Sequence, residues 1–505
     1  MPSSAKLVHE LDSTAVSEGK ISDTESSQHH THDSQVGVED IRDPNLADWD
    51  GPDDPENPMN WPSSSRMLHV VLVSMFTLYA NLASTMFAPG AAVLLAEFEV
   101  TNSTITVFCV TIYILGFSLG PLIVAPLSEV YGRNIIYRFC NLVYFAFTIG
   151  CALSTNVAMF LVFRFICGCA ASGPMTIGGG TVADVVLPEK RGKAMALFAM
   201  GPLLGPVIGP VIGGFVSQSI GWRWTFWLIA IMAGVFSLLG LFLMRETNAT
   251  VLLNWKVAKL RKETGNPHLV SKTDLKFSAS QLLVRAVLRP SKMLIFSPIV
   301  LLLSLFCAFV FGLIQLLFTT FPSVFEHAYG FGPGIAGLSY LGLGFGFILG
   351  LVLFAVLSDK LLHQKPGGEV AIPELRLPLM VWFSPLIPVG IFWYGWSAQQ
   401  HAHWIVPILG TFLIGLGSLF IIMPAQLYLV DVFGSEAAAS ALAANLMVRN
   451  LFGAFFVFVA PPLYAHMGLG WGNSVLAFLC MGFAPIPFLF SRYGEMLRKR
   501  FPVDL

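Results

Sequence analysis

The sequence predicts an all-α membrane protein of twelve transmembrane helices in two six-helix halves, and three observations carry that prediction. Of 505 residues, 55% are hydrophobic and 12% charged, and the mean hydropathy is +0.70, whereas a soluble domain carries about 25% charged residues. Twelve apolar stretches of about 20 residues follow one another, each long enough for a hydrocarbon core of roughly 30 Å. They lie near 67–88, 103–126, 134–153, 157–182, 193–218, 224–244, 294–320, 335–357, 377–396, 404–429, 436–462 and 470–492. A polar stretch with ten Lys and Arg divides them six and six. The expected organisation is a disordered cytosolic tail (1–66), a first bundle (67–244), a cytosolic linker (245–293), a second bundle (294–492) and a cytosolic tail (493–505).

The tail is rich in Ser, Asp, Glu and His and has no apolar core for a signal peptide. Its His29, His30 and His32 are read as a solvated run without a metal. Basic residues stay on the cytosolic side of short loops. With both termini inside, all but Arg164, Arg449 and Arg223 of the 29 Lys and Arg fall in inner loops, tails or span ends. That orientation puts the sequon at Asn102 outside and the one at Asn248 in the cytosol.

Several function classes are excluded. A net charge of -1 and the absence of a basic stripe give nucleic acid nothing to bind. Seven cysteines sit in or beside apolar runs without metal-ligand spacing and read as packing residues. Gly116-Phe-Ser118-Leu-Gly120 matches a nucleophile elbow, but no strand precedes it, so Ser118 reads as a helix-packing serine. The glycines at 342, 344, 346 and 350 lack the strand and acidic residue of a nucleotide loop and read as helix contacts. No cofactor and no metal is expected, and no catalytic residue is assigned.

Residues 201–214, GPLLGPVIGPVIGG, place Gly201, Gly205, Gly209 and Gly213 at steps of four, with Gly214 following. Pro202, Pro206 and Pro210 would each cost about 3 kcal/mol in an exposed helix. In lipid the segment stays helical, the glycine row admits a close neighbour, and the prolines bend the rod.

Charge marks the mechanism. Gly132 makes a tight turn between the second and third spans; Glu129 and Arg133, four apart, are placed to pair and to meet Asp184 at the end of the fourth span. An ordinary interfacial salt bridge and a bond made in only one conformation both fit, and the second would bias a two-state equilibrium. Arg164 and Arg449 lie within spans, where an unpaired charge costs at least about 2.5–3.5 kcal/mol. They should face protein or water; bonding to helix carbonyls or snorkelling is the structural alternative. No carboxylate sits deep in a span, which weighs against polycationic cargo. Asn81, Tyr113, Gln315, Gln426, Asn445 and Arg449 are candidate cavity residues, and each serves equally well as a helix-helix hydrogen bond.

PLSEVYGR at 126–133, RFICGCAASGP at 164–174 and the Gly201–Gly214 run resemble motifs of the major facilitator superfamily, in its fungal twelve-span drug:proton antiporter branch. DPENPMNW at 54–61, ETNATVLLNWKVAKLRKETG at 246–265 and SALAANLMVRN at 440–450 extend the resemblance. It implies the major facilitator fold and a proton-coupled exporter of drugs or a self-made metabolite. It further implies alternating access, a coupling role for Arg164, and a monomer in the plasma membrane or, second, the vacuolar membrane. Small molecules, protons and lipid are the implied partners. An organic-acid exporter or facilitator is the alternative; a polyamine transporter, a membrane enzyme and a non-transporting receptor rank lower. Glu129 stands where the wider pattern has aspartate, Ala125 where it has glycine, and Asn134 where a second basic residue is common. The second half keeps only Leu357-Ser358-Asp359-Lys360, so gating charge is expected mainly in the first half.

Overall fold

A computed structural model describes residues 45–51, 53–272, 279–363 and 373–500; the histidine run at 29–32 lies outside the described residues. A two-residue strand β1 (Leu46–Ala47) precedes α1 (Ser63–Met86) and the short α2 (Ala91–Glu97). The second crossing is α3 (Ser103–Leu119) with α4 (Pro121–Tyr131), followed by α5 (Arg133–Ala152), α6 (Val157–Val185), α7 (Pro188–Ile220) and α8 (Arg223–Leu243). The linker supplies α9 (Ala249–Thr264), β2 (Val270–Ser271) and α10 (Ala279–Phe296). Then come α11 (Pro298–Tyr329), α12 (Pro333–Leu338), α13 (Tyr340–His363), α14 (Leu377–Phe383), α15 (Leu386–Gln399), α16 (Ile405–Phe456), α17 (Ala460–Phe483) and α18 (Pro485–Arg500).

Eleven segments of the described residues are long and apolar enough to cross a bilayer, and the last, Ala437–Arg500, has 64 residues. As one straight helix it would reach about 96 Å at 1.5 Å per residue, three times the hydrocarbon thickness. It instead breaks at Gly468, whose φ of 71° only glycine adopts freely, so it crosses twice and the crossings number twelve. Side-chain caps start several helices: Asn102 Oδ1 accepts from Thr104 N at 2.8 Å, Asn156 Oδ1 from Met159 N at 2.9 Å and Asn248 Oδ1 from Thr250 N at 3.0 Å. Each such cap contributes about 1 kcal/mol.

Buried apolar side chains form two large clusters. One draws on residues 61 to 244; the other draws on 293 to 490 together with Val207 from α7. The tail departs from the expected disorder over its last part. β1 pairs in parallel with β2 of the linker, Leu46 opposite Val270 and Ala47 opposite Ser271, and α1 starts at Ser63 rather than 67. Asp54 fixes the turn between them. Its carboxylate accepts from the N–H groups of Asp50 and Glu56, both at 2.8 Å, and from Lys256 Nζ of α9 at 3.2 Å; Lys256 also pairs with Asp50 at 2.7 Å. Burial acts to raise the Asp54 carboxyl, but these donors outweigh it and hold it below its ordinary value. The chain's far end departs likewise, since α18 carries helix to Arg500, into the segment read as tail.

Candidate functional site

The break between α4 and α5 builds an ionic clasp from three separate elements. Gly132 sits at φ 97°, outside the range of other residues, and a Cβ there would fall 2.8 Å from Glu246 Cδ. Released by that turn, Arg133 sends Nε to Asp184 Oδ2 at the end of α6 and Nη2 to Asp184 Oδ1 at 3.3 Å. The two side chains are 17% and 21% exposed. The guanidinium lies over Gly180, where a Cβ would approach Arg133 Cζ to 2.7 Å.

Glu246, just beyond α8, completes the clasp from below and is the partner that sequence reasoning missed. Its Oε1 accepts from the backbone N–H of Arg133 at 2.9 Å and its Oε2 from that of Asn134 at 3.0 Å. Oε1 also accepts from Thr247 N at 3.0 Å and Asn248 N at 2.8 Å. A carboxylate on the free N–H groups of a helix start satisfies orphan donors and complements the helix dipole. Asn134, which stands where a second basic residue was expected, instead donates Nδ2 to Met244 O at 3.1 Å. Glu129 is exposed and forms no ion pair among the described residues. The expected Glu129–Arg133 pair is thus corrected: Arg133 turns across to α6, because the Gly132 break ends the continuous helix that four-residue spacing requires.

The same face carries a second set of charges from the later helices. Arg376, just before α14, donates Nε to Asp431 of α16 at 3.1 Å and Nη1 to Ser358 Oγ of α13 at 3.3 Å. Arg498 pairs with Glu374 at 2.9 Å. Asp431 closes the tenth span as Asp184 closes the fourth, so an ion pair stands at a span end in each half. Arg376 lies well beyond the Leu357–Lys360 remnant, where no Gly-Arg motif pointed to it.

On α7 the glycine row lies against the backbone of α1. A Cβ on Gly201 would fall 2.8 Å from Leu78 N, on Gly205 2.7 Å from Leu82 N, on Gly209 2.7 Å from Leu82 O and on Gly213 2.7 Å from Met86 C. Gly214 turns the other way, 3.0 Å from Pro333 C at α12. Pro202, Pro206 and Pro210 lie inside one unbroken helix. Because Pro210 has no N–H, the carbonyl of Pro206 is left over, and Thr85 Oγ1 donates to it at 3.2 Å. Ser118 Oγ donates to Met447 O at 3.5 Å, a bond between α3 and α16 with no catalytic partner beside it.

The candidate cavity residues separate into two groups. Tyr113 is 1% exposed, donates to Ala80 O at 2.6 Å, and lies 4.9 Å beneath the Arg164 guanidinium. Asn445 is likewise 1% exposed and donates to Ser304 Oγ at 3.4 Å. In both, the helix-helix hydrogen bond that the sequence left open as the alternative is present. Asn81 is half-buried and donates Nδ2 back to Thr77 O at 2.8 Å. Gln315 and Gln426 are half-buried, and neither side-chain amide has a hydrogen-bond partner among the described residues.

The two intramembrane arginines have opposite surroundings. Arg164 is enclosed, with Nη2 donating to Ala83 O at 3.1 Å and Ser84 O at 3.4 Å, and with Phe87 and Phe226 rings each 5.4 Å from Cζ. Those carbonyls belong to the last turn of α1, where a cation replaces the missing helix bonds. Arg449 is half-buried, with Cζ 5.0 Å from the Phe311 ring. Its guanidinium has no ion pair or hydrogen bond among the described residues, and its Nε is buried without a partner.

Twelve apolar crossings, a charged clasp on one face and an unpaired cation between spans define a membrane transporter rather than an enzyme. The profile of the Major Facilitator Superfamily matches residues 71–457. The chain belongs to the major facilitator superfamily. It is 66% identical over 459 residues to MFS transporter prlG of a fungal species, covering 91% of this chain and 97% of that one. It is 59% identical to the Trichosetin biosynthesis cluster MFS transporter of Gibberella fujikuroi, covering 92% and 90% respectively. Among solved structures, a D-xylose-proton symporter superposes with a TM-score of 0.64 at 17% identity, covering 84% of this chain and 97% of its own, which speaks for the fold alone.

Proposed function

We propose that this transporter exports a small organic molecule made by its own cell, coupling export to proton entry by alternating access. The carrying observation is its 59% identity to a transporter named for a biosynthesis cluster, to which the arrangement of charge adds the cargo's sign. Arg449 offers a partly accessible cation with no protein counter-ion, and a buried unpaired charge is costly unless a ligand or water meets it. A neutral or anionic amphipathic cargo therefore fits, and an organic acid fits best; foreign drugs of the same character would share the route. A polycation would find no anion beside Arg449.

In this reading the clasp face is cytosolic with both termini, Asn102 is outside, the chain acts as a monomer, and the membrane is the plasma membrane. A proton on Asp184 would cancel one side of its pair with Arg133 and loosen the clasp, which supplies a route for coupling. Arg376–Asp431 would act in parallel on the other helices. Arg164 would serve coupling indirectly, by holding the end of α1 to α6. The glycine row would let α7 and α1 move as one closely packed pair.

Untargeted comparison of metabolites in the medium of deletion and overexpression strains tests the reading. An acidic or neutral amphipathic compound should fall in the first and rise in the second. Identical media would refute export.

A further inference from the structure

We propose that a cavity on the face opposite the clasp is a second binding site for an amphipathic weak acid, placed on the exit route from Arg449. The proposal rests on the export reading. The cavity measures about 530 Å³ and is bounded by Thr106 and Val107 of α3, Thr319, Ser323 and His327 of α11, and His401. Val457, Pro461 and Tyr464 close its other side. That volume suits a small organic molecule, and the walls come from helices on both sides of the linker.

Its position follows from helical spacing. Phe311, Gln315, Thr319, Ser323 and His327 recur every four residues along α11, a row that winds slowly round the helix because each step turns it by about 40°, and its last three members line the cavity. Arg449, Gly453, Val457 and Pro461 repeat that spacing on the facing helices. The two rows touch at the inner end, where Arg449 Cζ lies 5.0 Å from the Phe311 ring and a Cβ on Gly453 would fall 3.3 Å from Gln315 Cγ. They part at the outer end to form the cavity. From Gln315 to His327 the row runs about 18 Å at 1.5 Å per residue, so the cavity continues the path that begins at Arg449.

The chemistry of the lining selects an acid. Three of its hydroxyl protons are already committed: Thr106 donates to Asn102 O at 3.2 Å, Thr319 to Gln315 O at 2.9 Å and Tyr464 to Asn473 Oδ1 at 3.1 Å, while the Ser323 hydroxyl has no partner among the described residues and can donate to a carboxylate. The two imidazoles differ from them. His327 Nδ1 lies 2.7 Å from Ser323 O and His401 Nδ1 lies 3.1 Å from Ala328 O. A carbonyl only accepts, so Nδ1 carries the hydrogen in each ring, and Nε2, which has no partner among the described residues, is the base. A bound carboxylic acid breaks its O–H bond, the proton forms Nε2–H, and a carboxylate–imidazolium pair remains. Among the described residues no acidic side chain lines the cavity, so an ammonium would meet no carboxylate in the lining; Glu326, which precedes His327 on α11, acts on that ring from outside the lining.

Equilibrium binding of 1-naphthoic acid to the purified full-length protein tests the site, with 1-naphthylmethylamine as the size-matched amine. Two binding events per chain are expected in the wild type. Ser323→Trp should remove one by filling the cavity, and the double variant His327→Ala/His401→Ala should weaken the same event at least about tenfold; both sets of side chains are exposed, so folding should survive. Arg449→Gln should remove the other event. A single event in the wild type, two events untouched by both cavity variants, or equal binding of the amine at the second site would overturn the proposal. Loss of one event in Ser323→Trp with none lost in Arg449→Gln would keep the cavity and refute the role of Arg449 instead.

Discussion

Replacing Asp184 by Asn removes the charge from the clasp while keeping an oxygen that accepts from Arg133. A hydrogen bond to a charged group contributes about 1.5–3 kcal/mol and a neutral one about 0.5–1.5 kcal/mol, so the change weakens the clasp by about 1–1.5 kcal/mol. Exposures of 17% and 21% leave the pair only lightly screened, so little of that difference is lost to solvent. The clasped population, relative to the opened one, should fall about five- to thirteenfold. Arg133→Ala should act more strongly, because it also strips the contact over Gly180 and leaves Asp184 mostly buried and unpaired. Glu246 holds Arg133 and Asn134 by their backbone N–H groups and not by their side chains, so both variants should keep α5 anchored and reach the membrane in normal amount. Spin labels on the exposed positions Lys193 and Met496 would report the separation across this face by electron-electron resonance. A shift toward the longer distance, with transport largely lost, is expected in both variants, and the double variant should be no worse than Arg133→Ala alone. Unchanged distances with normal flux in both singles would refute the clasp.

Three further outcomes follow from other parts of the molecule. Gly205→Leu should abolish transport, since even a Cβ would stand 2.7 Å from the α1 backbone, while Gly205→Ala should be milder; equal flux in Leu and wild type would show that close packing is not required. Glu246→Gln should lower stability by about 1–3 kcal/mol, the scale of charged hydrogen bonds to backbone donors, and an unchanged melting temperature in detergent would contradict its anchoring role. The Asp54–Lys256 strap should be indifferent to pH between about 5 and 9. The depressed Asp54 contributes above its ordinary value of 3.8 and loses that contribution only as pH falls through its lower folded value. Lys256, whose donors' partners raise it against the opposing effect of burial, contributes below 10.5 and loses that only at higher pH. Proteolysis of residues 45–60 should stay slow across that window and speed up in Asp54→Asn; titration of the cleavage rate near neutrality would contradict the assignment.

The twelve crossings and the family were legible because both depend on local sequence: apolar length sets a span, and PLSEVYGR, RFICGCAASGP and the Gly201 run are contiguous. That α7 packs closely on a neighbour was legible for the same reason, since glycines at steps of four leave a groove, but that the neighbour is α1 came only with the structure. What escaped depends on residues distant in sequence. Glu246 opens the ETNATVLLNWKVAKLRKETG stretch, yet nothing in its neighbourhood announces that it receives the start of α5, 113 residues away. Arg376 and Asp431 form their pair without a motif, across 55 residues. For Tyr113 and Asn445 the sequence left two readings open, because polarity within a span says nothing of which neighbour the side chain meets; in the structure they meet Ala80 O and Ser304 Oγ. Glu129 failed for a more local reason, the Gly132 turn that breaks the helix between it and Arg133.

Proton-coupled movement of an amphipathic anion tests the account most directly. Purified full-length protein in liposomes would be given 1-naphthalenesulfonate, an anion too acidic to cross the bilayer in neutral form, with and without an imposed proton gradient. Uphill accumulation that follows the gradient, collapses with a protonophore and is largely lost in Asp184→Asn is the predicted result. Flux that only equilibrates the anion, at the same rate with and without the protonophore, would contradict it.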